Sequence, residues 1–528
     1  MHIHVVIVGG GIGGLYSAYK YINDGYNVVL IEKNDRLGGR IHTIYNTNYQ
    51  YEAGAGRMSK MHTNLMRLIN TFNLTVTPLS KTKTYRSIAC GEPVAKQNAS
   101  SAKITKVCKL ASKYSKEQLS AMTFNQLCTD ILGVEQTNQL VNEFGYNGEF
   151  AMNASDAVDL FGKDFTGSKQ YYICKEGLSE LVNRMESMLL STNRIKIFKN
   201  CEAITVKQNK QFGYMKVVAQ LNMGDTRVFK SDVVIAALPK NELKVLIDSS
   251  VTDAHKKLTC INLLNTVETV PLHRVYGKFS STWFDGINAT TTDDSIRQFI
   301  PIDTSSSIAM VSYSDTQHAD YWNQYAQLGD KQLRTALLKH LHVVFPEVKL
   351  PRMQWVQNHY WQAGVHAWKQ GINSKAVREK VQQIHGTDIP FFIVGEAYSS
   401  HQSWIEGALV SVEDVYSKTV PFLKNEAMGG SQAPKIPRVK SRDLAKFVAD
   451  KGIEYWVTLR SNGKLRLMDT TEWMNKHPGG DWMFQEYNHR DITDKLNKDH
   501  YTGDPKYKMI NPRIMNYIDK ITVAFVVT

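Results

Sequence analysis

The sequence predicts a mixed α/β fold in a large N-terminal part, followed by a small α+β domain at the C-terminus. Val5–Val8 is a continuous apolar run that leads into a glycine-rich turn and then into a helical pattern. Strand and helix signals alternate in this way through the first hundred residues, which favours a parallel sheet covered by helices. Residues 425–440 combine paired glycines, prolines and cations without an apolar period, which is typical of a linker between two domains.

Further elements follow from local patterns. Strand-like runs alternate with turn residues through 195–240 and 267–315, and the apolar stretch at 391–395 predicts a short buried strand. Apolar spacing predicts helices over 329–344 and 404–420, and the polar stretch 95–120 is interpreted as helix or cap. The apolar tail from Ile521 to Val527 is interpreted as a last strand.

The composition is that of a globular protein with several domains. The chain has 528 residues, of which 42% are apolar and 21% are charged. No run approaches the roughly 18–20 apolar residues that a bilayer span requires, so we expect no transmembrane segment. The net charge of +13 is spread thinly along the chain. It is interpreted as solvated surface, with anion or nucleic-acid binding as the less favoured interpretation.

The start of the chain and its cysteines bear on location. A buried strand begins within a few residues of Met1, where a secretory signal would need a basic start and a cleavage site. The six cysteines show no C-x-x-C spacing, so a disulfide framework or a thiol metal site is not favoured. Together these features predict a cytoplasmic protein.

The glycine-rich turn predicts a Rossmann-like dinucleotide site. Gly9, Gly11 and Gly14 fit the pattern G-x-G-x-x-G between a strand and a helix, where glycines permit a tight turn and close approach of a pyrophosphate. A second strand ends in Glu32, at the distance where a carboxylate accepts hydrogen bonds from ribose hydroxyls. The alternative, a plain strand–helix turn with a solvated Glu32, leaves this spacing unexplained.

Two further elements carry a family resemblance. Residues 33–40 read K-N-D-R-L-G-G-R, directly after the second strand. Far along the chain, residues 395–398 read G-E-A-Y and residues 403–409 read S-W-I-E-G-A-L. With the glycine turn, these elements resemble the flavin-containing amine oxidase family of the L-amino-acid oxidase and monoamine oxidase type. The resemblance implies FAD as the cofactor and a Rossmann-like FAD-binding domain with an interleaved substrate-binding domain.

The resemblance also implies roles for individual residues. Arg40 would neutralise the diphosphate, and Glu396 would bind the ribityl hydroxyls. A helix N-terminus near Gly407 and Ala408 would stabilise negative charge on the reduced flavin. The strand at 232–239 looks like the family strand before a proline. The implied cofactor-binding residues are Gly9, Gly11, Gly13, Gly14, Glu32, Lys33, Arg40, Gly56, Arg57, Ala203, Glu396, Trp404, Gly407 and Ala408.

The implied domain organisation follows the same family. The oxidoreductase would occupy 1–424. Its FAD-binding parts would lie at about 1–75, 195–250 and 385–424, and its substrate-binding part at about 76–194 and 251–384. A linker at 425–440 and a further domain at 441–528 would follow.

Arg57 gives the first indication of the substrate. The segment Gly54-Ala55-Gly56-Arg57 resembles the G-x-x-R element that places an arginine against the substrate carboxylate in L-amino-acid oxidases. A guanidinium suits this task because it binds a carboxylate through two parallel hydrogen bonds. The alternative is that Arg57 pairs with Glu52 or another internal acid. The resemblance therefore implies a small amine, and an amino acid if Arg57 is free.

Other catalytic candidates also come from the resemblance. Trp404 occupies the position of an aromatic beside the flavin, and Tyr360 and Trp361 are candidates for the opposite wall of the substrate pocket. Arg274 stands where the family usually has a lysine near flavin N5. Arginine keeps the charge but cannot accept a proton at accessible pH, which leaves hydride removal possible and puts oxygen reactivity in doubt.

Residues 441–528 resemble a cytochrome b5-like haem domain. The motif H-P-G-G begins at His477, which would ligate haem iron, and His500 would be the second ligand. His489 is a competitor for that second role, and Arg490 stands where the family has glycine. The resemblance implies haem b, with a b5-like module that has lost haem and serves in docking as the alternative.

Three functions remain open at this level. The first is FAD-dependent oxidation of an amine or L-amino acid, with electrons passing to O2, to an external acceptor or through the haem. The second is a desaturase or porphyrinogen oxidase on the same fold, which would not need Arg57. The third is a flavoprotein scaffold without catalysis, with the b5-like part as a docking module.

Overall fold

The computed structural model describes residues 2–89, 95–166, 169–222 and 224–423, and in the C-terminal part residues 438–440, 456–461, 464–469 and 522–527. The chain divides into two compact units, Met1–Lys424 and Asn425–Thr528. Each unit is described by itself.

Twenty strands are found among the described residues of the first unit. In chain order they are β1 (Val5–Val8), β2 (Val28–Ile31), β3 (Thr43–Tyr45), β4 (Gln50–Glu52), β5 (Met58–Ser59), β6 (Val76–Pro78), β7 (Lys83–Arg86), β8 (Ala95–Gln97), β9 (Tyr171–Cys174), β10 (Ile195–Phe198), β11 (Cys201–Asn209), β12 (Tyr214–Leu221), β13 (Thr226–Ser231), β14 (Val233–Ala236), β15 (Val267–Phe279), β16 (Ala289–Thr292), β17 (Gln298–Asp303), β18 (Ile308–Asp315), β19 (Met353–Trp368) and β20 (Phe391–Ile393).

The α-helices of the same residues alternate with these strands. In chain order they are α1 (Ile12–Asn23), α2 (Thr63–Thr71), α3 (Ser100–Leu110), α4 (Lys116–Ser120), α5 (Phe124–Leu132), α6 (Val134–Phe144), α7 (Ala154–Asp164), α8 (Leu178–Leu190), α9 (Lys240–Ser250), α10 (Ala254–Leu264), α11 (Thr316–Gln327), α12 (Asp330–Val344), α13 (Ser374–Gln382) and α14 (Ile405–Thr419). Short 3₁₀ helices include Gly148–Ala151 and Glu396–Tyr398.

A five-stranded parallel sheet forms the centre of the first unit, in the order β10-β2-β1-β14-β20. Val5 pairs with Val28 on one side and with Val233 on the other. All four residues of β1 are buried, because both faces of a parallel sheet are covered and neither needs polar side chains. The predicted mixed α/β architecture is confirmed for this unit.

The two faces of the sheet bury different layers. Val5 and Ile7 point into a core shared with α1, α2, α8 and α14. Val6 and Val8 point into a second core, shared with α9, α10 and the antiparallel sheet β11-β12-β13. Since side chains alternate along a strand, the single run Val5–Val8 supplies both cores. This arrangement places the carboxyl ends of β1, β2 and β14 at one edge, next to the start of α1.

A seven-stranded sheet in the order β19-β15-β18-β17-β16-β7-β8 forms a second layer. Its longest strands, β15 and β19, run antiparallel with Arg274 opposite His359. Helices α3 to α7 form a cap with an aromatic core, in which the rings of Phe124 and Phe161 stack at 4.4 Å. This cap and the second sheet face the edge of the central sheet and enclose the site described below.

Several predicted elements are confirmed within narrow limits. The helices expected over 329–344 and 404–420 are α12 and α14, and the strand expected at 391–395 is β20. The stretch 95–120 contains α3 and α4, as expected, but begins with the short strand β8.

In the second unit, the described residues form one four-stranded sheet in the order β21-β24-β23-β22, from β21 (Arg438–Lys440), β22 (Trp456–Ser461), β23 (Lys464–Asp469) and β24 (Thr522–Val527). The strand expected at the end of the chain is β24, and the last residues of the predicted linker form β21. His477, His489 and His500 lie outside the described residues. Across all described residues, none of the helices has the length and apolar character needed to cross a bilayer.

Candidate active site

A cavity of about 620 Å³ opens at the carboxyl edge of the central sheet. Its walls come from the glycine turn, the segments 31–41 and 54–57, the cap, strands β15, β18 and β19, and the start of α14. The predicted site residues that line it are Gly9, Gly11, Gly13, Glu32, Lys33, Arg40, Gly56, Arg57, Ala203, Arg274, Tyr360, Trp361, Glu396, Trp404 and Ala408. Segments from both ends of the first unit therefore line one cavity.

Two predicted glycines lie just outside the cavity wall. A Cβ atom at Gly14 would lie 2.0 Å from the carbonyl oxygen of Gly9, and one at Gly407 would lie 2.0 Å from that of His401. Neither position leaves room for a side chain. These two glycines therefore shape the site by close backbone packing.

The glycine turn presents bare backbone to the cavity. Gly9 has a φ of +102°, and a Cβ atom there would lie 2.5 Å from the carbonyl oxygen of Ala237. Gly11 is the N-cap of α1 and has no atom within 4 Å of its Cβ position, so it borders open space. An exposed helix N-terminus beside a glycine backbone is suited to binding phosphate oxygens.

Glu32 closes the end of this turn. Its carboxylate accepts hydrogen bonds from the backbone N–H of Gly10 at 2.7 Å and from the backbone N–H of Asn34 at 2.8 Å. Only 6% of the residue is exposed. The carboxylate is thus fixed at the cavity wall, and its remaining lone pairs are available to ribose hydroxyls. Lys33 and Ala203 line the same end.

Arg40 and Glu396 join the first and last segments of the site. Arg40 Nη1 donates to Glu396 Oε2 at 2.8 Å and to the carbonyl oxygen of Gly364 at 2.9 Å. Glu396 also accepts from the backbone N–H groups of His366 and Ser403, both at 2.9 Å. Burial alone would raise the pKa of Glu396, but Arg40 and His366 hold it well below its usual range. Glu396 is therefore an anion with fixed geometry.

The start of α14 lies directly against the start of α1. The Cβ position of Gly13 is 3.7 Å from the Cβ atom of Ala408. Ser403, just before α14, has a φ of +68°, a strained conformation for a residue with a side chain. The buried atoms Ser403 Oγ and Trp404 Nε1 have no hydrogen-bond partner in the described part of the chain. Buried polar atoms without partners at a cavity wall fit a site built for a polar ligand.

Arg57 faces the cavity inside a cage of aromatic rings. Its guanidinium carbon lies 5.6 Å from the ring centroid of Tyr146, 5.5 Å from that of Tyr171 and 5.7 Å from that of Trp404. Arg57 Nη2 donates to the hydroxyl of Tyr146 at 3.0 Å. Within the described ranges, no carboxylate forms an ion pair with Arg57. Glu52, the alternative partner, instead accepts from the backbone of Leu178 and from Thr43.

The segment that carries Arg57 is held by two predicted residues. Arg274 Nη1 donates to the carbonyl oxygen of Glu52 at 2.8 Å, and Trp361 Nε1 donates to that of Ala53 at 2.8 Å. Arg274 is also stacked on Tyr313, with its guanidinium carbon 4.4 Å from the ring centroid. Tyr360 lines the cavity, while its hydroxyl donates to Asp320 at 2.7 Å.

The structure adds residues that sequence motifs did not indicate. Tyr146 and Tyr313 line the substrate end of the cavity, with ring centroids 5.2 Å apart. Burial would raise the pKa of Tyr313, but the nearby Arg274 and Arg57 lower it. Glu149 lies on the same wall. Tyr313 belongs to the fully buried strand β18. Polar residues inside this apolar run were the sequence feature that could have indicated a functional site there.

A buried network supports the aromatic wall from behind. Asp164 accepts from His62 Nε2 at 3.1 Å and from His401 Nε2 at 2.8 Å. The ring of His62 lies 4.7 Å from that of Trp404. Burial would raise the pKa of Asp164, but the two histidines lower it to about 2. The network fixes Trp404 and also explains why three polar residues are buried here.

The comparisons with known proteins agree with this geometry. The family model for flavin containing amine oxidoreductases matches residues 12–412. The chain belongs to this family. It is therefore a flavin-dependent oxidoreductase that acts on amines, with FAD as its cofactor. The cavity fits FAD at two points: Gly11 leaves open space at its Cβ position, and the buried Ser403 Oγ has no hydrogen-bond partner among the described residues.

Individual relatives of this oxidoreductase differ in how much of the chain they cover. Achacin from Lissachatina fulica is 22% identical over 506 residues, which cover 79% of this chain and 93% of that protein. Amine oxidase A from Sus scrofa is 39% identical over 74 residues, 14% of each chain. An L-amino-acid oxidase from Trimeresurus stejnegeri is 36% identical over 80 residues, 15% of this chain and 16% of that protein.

Proposed function

We propose that the enzyme oxidises an L-α-amino acid whose carboxylate binds to Arg57. The observation that carries this proposal is the guanidinium of Arg57, which faces the cavity without a carboxylate partner among the described residues. Arg57 is partly buried, and a guanidinium withdrawn from water is stabilised when a ligand supplies its counter-ion. Several relatives are L-amino-acid oxidases, which supports the same substrate class.

Residues of this chain would hold FAD along the cavity. The turn Gly9–Gly13 and the start of α1 would receive the diphosphate, Glu32 the ribose, and Arg40 with Glu396 the chain between diphosphate and ring. The start of α14 at Trp404 would lie against the ring, where a helix N-terminus stabilises negative charge. FAD, when bound, accepts the hydride from the carbon that carries the amine.

The aromatic wall would orient the substrate and exclude water. Trp404, Tyr146 and Trp361 offer apolar faces beside Arg57, so a carboxylate fixed by the guanidinium leaves the α-carbon inside the enclosed space. Arg274 contributes positive charge and holds the segment before Arg57. It does not accept a proton, since a guanidinium stays protonated at accessible pH. Electrons would leave to O2 or to an external acceptor.

A sequence motif in the C-terminal part of the chain suggests a second path for the electrons. We propose that His477 and His500 bind haem b, which would take electrons from the flavin one at a time. This proposal depends on the H-P-G-G motif alone, because both histidines lie outside the described residues. An absorption spectrum of the purified full chain tests it: a Soret band that sharpens on dithionite reduction is expected, and its absence leaves a docking module as the interpretation.

A cytoplasmic location remains part of the proposal. The five cysteines that the structure describes, Cys108, Cys128, Cys174, Cys201 and Cys260, are free thiols. Thiol titration of protein purified from its natural source and then denatured without reductant should detect these cysteines as free thiols. Cysteines that react only after reduction would indicate disulfides and contradict a reducing compartment.

The proposed substrate class is tested with a matched pair of compounds. L-leucine and 3-methylbutylamine differ only by the carboxylate, and both are added anaerobically to the holoenzyme while flavin absorbance is followed. Arg57→Ala should weaken the action on leucine by roughly 2–4 kcal/mol in kcat/KM and leave any action on the amine unchanged. Equal losses for both compounds would contradict the proposal. Failure of leucine, of 3-methylbutylamine and of every other L-amino acid to reduce the flavin would favour a desaturase-like or scaffold role.

A further inference from the structure

Glu149 is a carboxylic acid on the wall of the same cavity. It belongs to the 3₁₀ helix Gly148–Ala151, which follows α6 and lies in the cap. Asp315 fixes the start of this helix by accepting from the backbone N–H of Asn147 at 2.8 Å and from that of Gly148 at 2.6 Å. Tyr146, the partner of Arg57, lies three residues before Glu149. The backbone that carries Glu149 is therefore held in place.

The carboxylate of Glu149, a partly buried residue, has no charged partner in the part of the protein that the structure describes. Among the described residues, no cation lies within the 4.0 Å of an ion pair, and no other residue donates a hydrogen bond to it. Arg57 lines the same cavity but is not in contact. The same cavity is lined by the aromatic side chains of Tyr146, Phe165 and Trp404. The cavity thus offers a cation, an anion and aromatic surfaces to one ligand.

We propose that Glu149 selects amino acids whose side chains end in a positive charge, such as those of lysine and its homologues. The α-carboxylate would bind to Arg57, the methylene chain would lie along the aromatic wall, and the distal ammonium would donate to Glu149. This inference rests on the proposed function, because it takes the binding of the α-carboxylate to Arg57 as given. It assigns a specificity role to Glu149 within that site.

Electrostatics support this pairing. Burial and the neighbouring Asp315 raise the pKa of Glu149 to about 7, while a hydrogen bond from its own backbone N–H and the positive charge of Arg57 oppose this rise. Other charged groups near this end of the site include Arg274 on β15, Lys83 on β7, whose pKa Arg57 lowers, and Arg297, which lowers the pKa of Asp315. When a carboxylate neutralises Arg57, Glu149 loses its stabilising cation. A neutral side chain should then leave Glu149 protonated, whereas an ammonium keeps it ionised.

The first experiment compares two substrates of equal chain length. L-lysine and L-norleucine differ at the end of the side chain, and each is mixed anaerobically with the holoenzyme. We expect a preference for lysine that grows from about pH 6 to about pH 8, as Glu149 becomes ionised. Glu149→Gln should lower kcat/KM for lysine about 30-fold or more and change that for norleucine little. Glu135→Gln, on the exposed side of α6, is the matched control.

The second experiment measures binding without turnover. Hexanoate and 6-aminohexanoate correspond to norleucine and lysine without the α-amine. Calorimetry in buffers of different ionisation enthalpy measures the protons taken up on binding. Near pH 7, we expect hexanoate to bind with proton uptake and 6-aminohexanoate to bind more tightly with less uptake. Both differences should vanish in Glu149→Gln, whose unchanged action on norleucine would show that it is folded.

The outcomes separate the two proposals. If neither lysine nor norleucine reduces the flavin, the proposed amino-acid substrate is wrong. If both reduce it, but lysine has no advantage or keeps its advantage in Glu149→Gln, only the role of Glu149 is overturned. A loss of rate in Glu149→Gln that is equal for lysine and norleucine, with a shifted pH profile for both, would also overturn it and identify Glu149 as the acceptor of the α-ammonium proton.

Discussion

Arg40 donates a hydrogen bond to Glu396 over 2.8 Å, although 356 positions separate the two residues in the chain. Arg40 follows the second strand of the central sheet, and Glu396 lies between β20 and α14. Their contact joins the two sequence-distant walls of the cavity, and the backbone N–H groups of His366 and Ser403 hold the Glu396 carboxylate in place. The protein itself therefore fixes the positions of Arg40 and Glu396 in the site.

Glu396→Gln should destabilise the first unit strongly. The amide keeps the shape but removes the charge that compensates Arg40, so we expect a loss of about 3–5 kcal/mol in the free energy of unfolding. Chemical denaturation followed by tryptophan fluorescence measures it. Glu268→Gln, which breaks an exposed pair with Lys369, is the control and should cost less than about 1 kcal/mol. Equal effects in both variants would show that the Arg40 contact contributes little.

Two neighbouring glycines of α1 should respond in opposite ways. A Cβ atom at Gly14 would lie 2.0 Å from the carbonyl oxygen of Gly9, whereas one at Gly13 would lie 3.7 Å from Ala408. Gly14→Ala should therefore lower stability by about 2 kcal/mol or more. Gly13→Ala should be neutral or stabilising by roughly 0.5–1 kcal/mol, because alanine favours the helix. Thermal unfolding of both variants checks this, and a tolerated Gly14→Ala would contradict the tight turn.

The cofactor end of the site could be predicted from sequence because its geometry is local. The spacing of Gly9, Gly11 and Glu32 fixes a strand, a turn and a second strand, so few arrangements are possible. The second element at Glu396 could be placed only through its family motif. No local sequence pattern indicates that Arg40 and Glu396, which lie 356 positions apart, are in contact.

The substrate end could be predicted only in part. Arg57 had a motif, but Tyr146, Tyr313 and Glu149 come from three elements that meet only after the cap folds onto the sheets. Glu52 accepts hydrogen bonds from Thr43 and Leu178 and forms no ion pair with Arg57. These are tertiary contacts, which the sequence does not indicate. Buried polar residues in an apolar strand, as in β18, indicate such a site without showing what they face.

The buried network behind Trp404 should make stability depend on pH. The pKa of Asp164 is lowered to about 2, from about 3.9 in an unfolded chain, so its contribution of about 2.5 kcal/mol is present at neutral pH and is lost as pH falls through about 2. Asp164→Asn should remove it at pH 7, and its difference from the parent protein should shrink below about pH 4. Urea unfolding across pH measures this. Asp248→Asn, in an exposed pair with Lys257, is the control.

Tyr146 should hold Arg57 in position for the substrate. Its hydroxyl accepts from Arg57 Nη2 at 3.0 Å, so Tyr146→Phe removes one anchor and keeps the ring. We expect KM for L-leucine to rise about 3- to 10-fold, as for the loss of one hydrogen bond. Values for 3-methylbutylamine should stay unchanged. A fall in kcat for both compounds would instead indicate a contact with the reacting atoms.

The central claim is that FAD occupies the cavity between the glycine turn and α14, and the FAD content of Gly11→Leu tests it most directly. The Cβ position of Gly11 borders open space, so a leucine there fits the fold and projects into the cavity. Gly162→Leu, also without atoms within 4 Å of its Cβ position, is the matched control on α7. Absorption spectra and thermal unfolding of the purified variants should show a folded, colourless Gly11→Leu protein beside a yellow control. A folded Gly11→Leu protein with one FAD per chain would contradict the account.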